Sequence, residues 1–228
     1  MKAMILAAGL GIRMRPLTKA IPKPMLPIGG KPILQHHIER LAAAGIQEVV
    51  INTHWLAHKI ERHFGQGDEF GISIQWSREE ILLETGGGVA AALPFLGKEP
   101  FLLVSSDIWI EYPFTHLVKK CLDKNTDGHL VLVRNPDHNR QGDYGLKKDI
   151  VIPKTDLCSK SSLTFSGLSL LRPQIFESEK PRAQVFPLRE VFCRVIKTRR
   201  ISGEAFNGYW TDVGTHDRYL EICAKHLS

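Results

Sequence analysis

Residues 1–27, MKAMILAAGLGIRMRPLTKAIPKPMLP, decide how this chain folds. Residues 4–8 are a short apolar run bounded by polar or turn residues, the pattern of a strand buried on both faces of a parallel sheet. The run leads into Gly9 and Gly11. Glycines directly after a buried strand let the backbone take positive φ and offer N–H groups to an anion with no Cβ in the way. Arg13 and Arg15 follow, and then Lys23 stands between Pro22 and Pro24, where proline fixes φ and restricts the residue before it. A glycine loop with separately supported cations is suited to a polyphosphate.

Other readings of the loop are weaker. A strand, a glycine turn and surface cations occur in many α/β proteins with no shared chemistry. As a dinucleotide fingerprint, GLGIRM keeps two glycines but places Met14 where the third belongs, and the second strand ends in Asn52 where an acidic residue would be wanted. As a P-loop it fails, since no GK[ST] follows.

LAAGLGIRMRPLT followed by IPKPMLPIGGKPIL resembles the signature of sugar-1-phosphate nucleotidylyltransferases, roughly LAAGxGxRxxPLT and then PKPxxPxxxxP. Both halves match at the right separation. The family's usual Ser, Thr or Glu before the arginine is Ile12 here, which removes a side-chain contact and leaves the backbone loop. The resemblance implies a single α/β domain over residues 1–228, Rossmann-like, with a mixed, mostly parallel sheet and helices on both faces. Residues 1–110 would be mainly the nucleotide-binding half and residues 111–228 mainly the sugar-phosphate half.

Composition agrees with a soluble globular protein. The 228 residues are 43% hydrophobic and 24% charged, enough for one sizeable core. A net charge of +6 favours anionic partners. The basic residues are dispersed; the one dense group, Lys197, Arg199 and Arg200, reads as a solvated helix end, so no nucleic-acid partner is expected. Cys121, Cys158, Cys193 and Cys223 lie thirty or more residues apart, with no CxxC pair, and read as thiols of a reducing compartment. Neither a signal peptide nor a membrane helix is expected, and the chain is expected to be cytoplasmic.

Further along, residues 32–44 and 55–64 carry apolar stripes at helical spacing, with a strand at 48–52 between them, so βαβ is complete by Asn52. His54, His58 and His63 decorate the second helix without ligand-type partners and read as solvent-facing. Residues 71–76 alternate as a strand and 77–84 read as a polar loop. Thr85, Gly86, Gly87 and Gly88 then open a helix at 89–93, either to admit a ligand at its N-terminus or simply as a flexible start. A strand at 101–105 delivers Asp107 to the carboxyl end of a central parallel strand, where open α/β sheets bind ligands. A helix at 114–124, a strand at 129–133 and a turn-rich stretch at 135–145 follow. In the strand at 163–171, Gly167 marks either close approach of a ligand or a β-bulge. An amphipathic helix at 187–198 precedes GYWTDVGTH, residues 208–216. No internal repeat or C-terminal hexapeptide array is present, so a bare transferase domain is expected.

The resemblance assigns roles by position. Ala7, Ala8, Gly9, Gly11, Ile12, Arg13, Lys23, Glu79, Thr85 and Gly86 would meet the nucleotide, with Arg13 and Lys23 catalytic. Asp143 and Gly145 of QGDYG, and Phe165 and Gly167 of TFSG, would meet the sugar. Asp107 stands where the family has GD, here Ser106-Asp107, and Asp212 in WTDVGT would be the second ligand of Mg²⁺, a cation that commonly takes one or two carboxylates. UTP and a sugar 1-phosphate are the implied partners, with no membrane partner; oligomeric state is left open. Within the family, LAAG, LETGGG, TFSG and the short length are most similar to uridylyltransferases acting on N-acetylmuramic acid 1-phosphate in cell-wall recycling. Glucose- or mannose-1-phosphate enzymes and a non-catalytic nucleotide-sugar sensor are the alternatives.

Overall fold

β1 (Ala3–Leu6) is buried at every residue, and its side chains alternate between two cores. Ala3 and Ile5 point into one, Met4 and Leu6 into the other. A strand with a core on each face requires helices on both sides. The computed structural model, which describes residues 1–156, 162–177 and 185–226, supplies them. Helices α2 (Ile33–Ala43), α3 (Ala57–Phe64) and α5 (Phe114–Lys119) cover the first face, through residues such as Leu34, Ile38, Ile60, Phe64 and Phe114. Helices α4 (Glu84–Leu96) and α6 (Leu188–Lys197) cover the second, through Val89, Leu96, Val191 and Phe192.

Short strands β2 (Pro27–Ile28) and β3 (Lys31–Pro32) pair only with each other, after helix α1 (Leu17–Ala20). The main strands that follow are β4 (Glu48–Thr53), β5 (Ser73–Arg78) and β6 (Phe101–Ser105). After the short β7 (Ile108–Ile110) come β8 (Gly128–Val133), β9 (Tyr144–Lys147), β10 (Ile150–Pro153), β11 (Thr164–Leu171) and β12 (Ile201–Phe206). Nine of these form one sheet in the order β5-β4-β1-β6-β11-β8-β12-β10-β9. Only β11 and β10 run opposite to the other seven strands. The chain moves outward from β1 through β4 to β5, then returns to β1's other side as β6. That reversal leaves a crevice at the carboxyl ends of β1 and β6, where open α/β sheets hold ligands. β13 (Trp210–Asp212) pairs with β7 beside this crevice, and helix α7 (His216–Lys225) follows it. A third, small core of Met14, Leu26, Ile28, Ile33, Val213 and Ile222 fastens the glycine-loop segment to the C-terminal helix.

Packing corrects one expectation and accounts for a second position left open. The glycine triplet does not precede its helix; α4 begins at Glu84, so Gly86, Gly87 and Gly88 lie within its first turns, and all three are buried. A Cβ on Gly86 would come within 2.5 Å of the Phe186 ring, and one on Gly88 within 2.6 Å of Asn52 Nδ2. Glycine is required there because neighbouring groups occupy the space a side chain would fill, so the flexible-start reading is set aside. Likewise Gly167, at φ 87°, sits where the β11–β8 register shifts, and its Cβ would meet Ile108 and Ser105 at 2.9–3.0 Å. The bulge reading accounts for it. The helix expected over 114–124 ends at Lys119. Cys158 lies outside the described residues.

His37 in α2 is 2% exposed and neither ring nitrogen has a properly formed hydrogen bond. Burial, reinforced by Arg40, lowers its pKa to about 3. The native state holds the neutral ring while the unfolded chain protonates below about 6.5, so stability is full above that pH and falls as pH drops toward 3. The slope is about 1.4 kcal/mol per pH unit. His37→Leu is expected to remove this term, so that between pH 6.5 and 5 it gains about 2 kcal/mol on wild type. Urea denaturation of both proteins at those two pH values checks it, and parallel losses would contradict it.

Candidate active site

Gly11 takes φ 62° at the turn after β1, and a Cβ there would press on Thr18 at 3.0 Å. Thr18 is fully buried, donates from Oγ1 to the Gly11 carbonyl at 2.7 Å, and its own carbonyl accepts from Trp55 Nε1 at 3.0 Å. Gly9 differs, because a Cβ there would meet nothing within 4 Å, so its bare backbone borders open space. The loop is therefore propped from behind and open in front. Ala8, Gly9, Gly11, Ile12, Arg13 and Lys23 line a cleft of about 460 Å³, joined by Ser106 and Asp107 from the end of β6.

Lys23 and Asp107, 84 residues apart, meet in this cleft with Nζ 2.6 Å from Oδ2. Burial pushes the Asp107 carboxyl up, but the Lys23 charge and hydrogen bond, with a smaller contribution from Arg13, hold it below the ordinary carboxylate range. The site therefore presents an ionised carboxylate flanked by cations. Asp212 lies alongside: it pairs with Ile108 in the β13–β7 ladder, and the next residue, Val213, donates its N–H to the Asp107 carbonyl at 2.7 Å. Arg218 Nη2 donates to Asp212 Oδ2 at 3.0 Å. Asp212 Oδ1 is buried and accepts no hydrogen bond; His138 Nε2, 3.1 Å away, is not aligned for one. A buried carboxylate oxygen without a donor is the kind of group a divalent cation satisfies. Two carboxylates on adjacent backbone fit a hard cation that draws its remaining oxygens from phosphates and water. Among the described residues no cluster of three or more ligand-type side chains exists.

Four of the other residues assigned by resemblance lie behind the cleft wall. The Ala7 N–H donates to Asn52 Oδ1 at 2.8 Å, Asn52 Nδ2 donates to Glu79 Oε1 at 2.6 Å, and Leu83 N–H donates to Glu79 Oε2 at 2.9 Å. Glu79 is 7% exposed and its pKa is raised by burial against the two bonds it accepts. Ala7 and Glu79 thus belong to a buried polar chain that fixes the glycine loop to β4 and to the start of α4. Each Glu79 oxygen accepts one hydrogen bond within this chain, and the residue does not line the cleft. The N–H of Gly86 is likewise taken by the Phe186 carbonyl at 2.9 Å, and Thr85 and Glu84, not Gly86, line the cleft. Gly167 is enclosed by Ser105 and Ile108.

A smaller cavity of about 230 Å³ shares Leu6, Thr85 and Ser105 with the cleft. Its walls include Asp143, Tyr144, Phe165, Phe192 and Arg189. Asp143 accepts from the Phe165 N–H at 2.9 Å and from Asn139 Nδ2 at 3.2 Å, so it braces the wall. Gly145 pairs with Ile152 in the β9–β10 hairpin and does not line the cavity. Sequence reasoning passed over Asn52 and Glu84 in the cleft and Arg189 in the cavity. A polar residue closing a parallel strand was the available signal for Asn52; an arginine on an exposed helix face gives none.

Residues 2–151 match the protein-family model described as nucleotidyl transferase. The chain belongs to the nucleotidyl transferase family. This transferase is 42% identical to the N-acetylmuramate alpha-1-phosphate uridylyltransferase of Neisseria meningitidis, over 98% of this chain and 97% of that protein. It is 33% identical to the protein of the same name from Caulobacter vibrioides, over 98% and 96%. It is 30% identical to a mannose-1-phosphate guanyltransferase of Schizosaccharomyces pombe, of whose length it spans 65%. Among solved structures, a Bacillus anthracis protein assigned as a glucose-1-phosphate thymidylyltransferase superposes with a TM-score of 0.89. It is 23% identical, with 100% of this chain and 96% of that one covered, and it supports the fold alone. The nine-stranded α/β sheet thus has the nucleotide-diphospho-sugar transferase fold.

Proposed function

We propose that this nucleotidyl transferase moves a uridylyl group from UTP to N-acetylmuramic acid α-1-phosphate, giving UDP-N-acetylmuramic acid and pyrophosphate, in cytoplasmic recycling of cell-wall sugar. The transfer chemistry is carried by one observation: Lys23 and Asp107 meet at 2.6 Å beside a glycine loop at the sheet's reversal point. The choice of nucleotide and sugar rests on the 42% identity to a uridylyltransferase across nearly the whole of both chains.

A sugar 1-phosphate is already an anionic nucleophile, so the site need supply no general base. Its phosphate oxygen attacks the α-phosphorus of UTP, the α–β bridging bond breaks, and pyrophosphate leaves with the bond's electron pair. What the residues must provide is alignment and neutralisation of converging anions. Backbone N–H groups at Gly9 and Gly11 and the Arg13 guanidinium, a planar fork matched to oxygen pairs, hold the β and γ phosphates. Lys23 releases Asp107 and turns its ammonium to the α-phosphate and the incoming sugar phosphate. Asp107 and Asp212 would hold Mg²⁺, which neutralises charge on the phosphates when bound. The nucleotide lies mainly against residues 1–110 and the sugar mainly against residues 111–228, in the smaller cavity.

Pyrophosphate release with Mg²⁺, measured across UTP, dTTP, CTP and GTP against muramic, N-acetylglucosamine, glucose and mannose 1-phosphates, tests this. Turnover is expected to be greatest, by at least tenfold in kcat/KM, for UTP with the muramic sugar. Best turnover with another pair would replace the substrates and keep the mechanism; nucleotide binding without turnover in any pair would replace it with a sensor.

A further inference from the structure

We propose that Arg189 selects the acidic sugar by pairing with the carboxylate of its lactyl ether, an inference that rests on the muramic reading above. N-acetylmuramic acid differs from N-acetylglucosamine by that ether alone, so discrimination requires a group that responds to one extra negative charge at a distance from the anomeric phosphate. The two connected cavities fix where such a group must stand. The anomeric phosphate has to reach Lys23 and Asp107, both in the larger cleft. The sugar ring then passes the junction at Leu6, Thr85 and Ser105, and its remaining substituents enter the smaller cavity.

Arg189 is the one cation lining that smaller cavity among the described residues, and it does not line the cleft. The other walls carry no second cation, and apart from the Ser105 and Tyr144 hydroxyls they are apolar or hydrogen-bonded within the chain. Tyr144, Phe165, Leu188 and Phe192 offer ring and methyl surface, with Phe165 and Phe192 packed edge to face at 5.3 Å. The Asp143 carboxylate is engaged by Phe165 N–H and Asn139, and Thr85 Oγ1 accepts from the Leu188 N–H at 2.9 Å. No ion pair of Arg189 with Asp143 or any other described carboxylate forms within 4 Å. Arg189 sits in the first turn of α6, exposed, and is set by the packing of Leu188 and Phe192 on either side of it in the second core. A rigidly based guanidinium with no ion pair among the described residues, beside the Tyr144 ring and facing a half-apolar sugar cavity, matches a carboxylate on a short ether arm, which it can grip through two parallel N–H bonds.

The test is kinetic discrimination between the two sugars. Arg189→Gln is expected to raise KM for N-acetylmuramic acid 1-phosphate at least tenfold and to change kcat and KM for N-acetylglucosamine 1-phosphate by less than twofold. UTP affinity and melting temperature are expected to stay at wild-type values. Arg189→Lys keeps the charge and loses the fork, so a partial recovery, to within about threefold of wild-type KM, is expected. Equal losses for both sugars would show that Arg189 only attracts phosphate and would overturn the proposal. So would a muramic preference that survives Arg189→Gln. A wild-type enzyme with no preference for the muramic sugar overturns the functional reading first, and this one with it.

Discussion

Lys23→Ala is expected to lower kcat by roughly 10²- to 10³-fold, the usual loss when one preorganised group facing developing charge is removed. Lys23 is held by Pro22 and Pro24, starts a 3-10 turn, and has its ammonium 2.6 Å from Asp107 with only 13% of its side chain exposed. The backbone and the small third core determine its position, so truncating the side chain leaves the fold and removes a charge. UTP is expected to bind nearly as well, because Gly9, Gly11 and Arg13 are untouched. The loss therefore falls on kcat more than on KM for UTP, which marks an interaction made mainly in the transition state. Lys23→Arg is not expected to restore it, since a planar guanidinium cannot occupy a point position between two phosphates. Pyrophosphate release and thermal melting on the same preparations check both; a Lys23→Ala protein turning over within threefold of wild type would falsify the assigned role.

Asp107→Asn is the complementary change, with an expected loss of at least 10²-fold in kcat and a higher Mg²⁺ concentration for half-maximal rate. The amide nearly keeps the shape of the carboxylate and can still accept from Lys23, but it carries no charge to offer a cation. Asp107 is ionised because Lys23 and Arg13 outweigh the burial that opposes ionisation. Each single substitution thus disturbs the other residue, and the double variant is expected to lose far less than the product of the two single losses. Mg²⁺ titrations of the four proteins measure this; a multiplicative loss would show that the two groups act independently, and an unchanged Mg²⁺ requirement would remove Asp107 from the metal.

The sequence by itself determined the βαβ start, the phosphate-type loop after β1 and the delivery of Asp107 by β6. Each of these is written locally: an apolar run of strand length, glycines where it ends, and cations on a proline-stiffened segment. It also carried the family, because the two halves of the N-terminal signature keep their separation. Tertiary structure alone decided what the local pattern leaves open. Gly86 and Gly88 read as loop residues because glycine has no side chain to signal burial, and only the approach of Phe186, Asn52 and Glu79 shows that they are packing residues inside a helix. Glu79 is a nucleotide contact by resemblance alone; only the fold shows its oxygens accepting from Asn52 and Leu83, 27 residues before it and 4 after. The Lys23–Asp107 pair and the placing of Asp212 beside Asp107 span 84 and more than 100 residues, distances that no periodicity records. Arg189 became visible only once α6 was folded against the sheet, since the cavity it faces is made of residues from six separate stretches of chain.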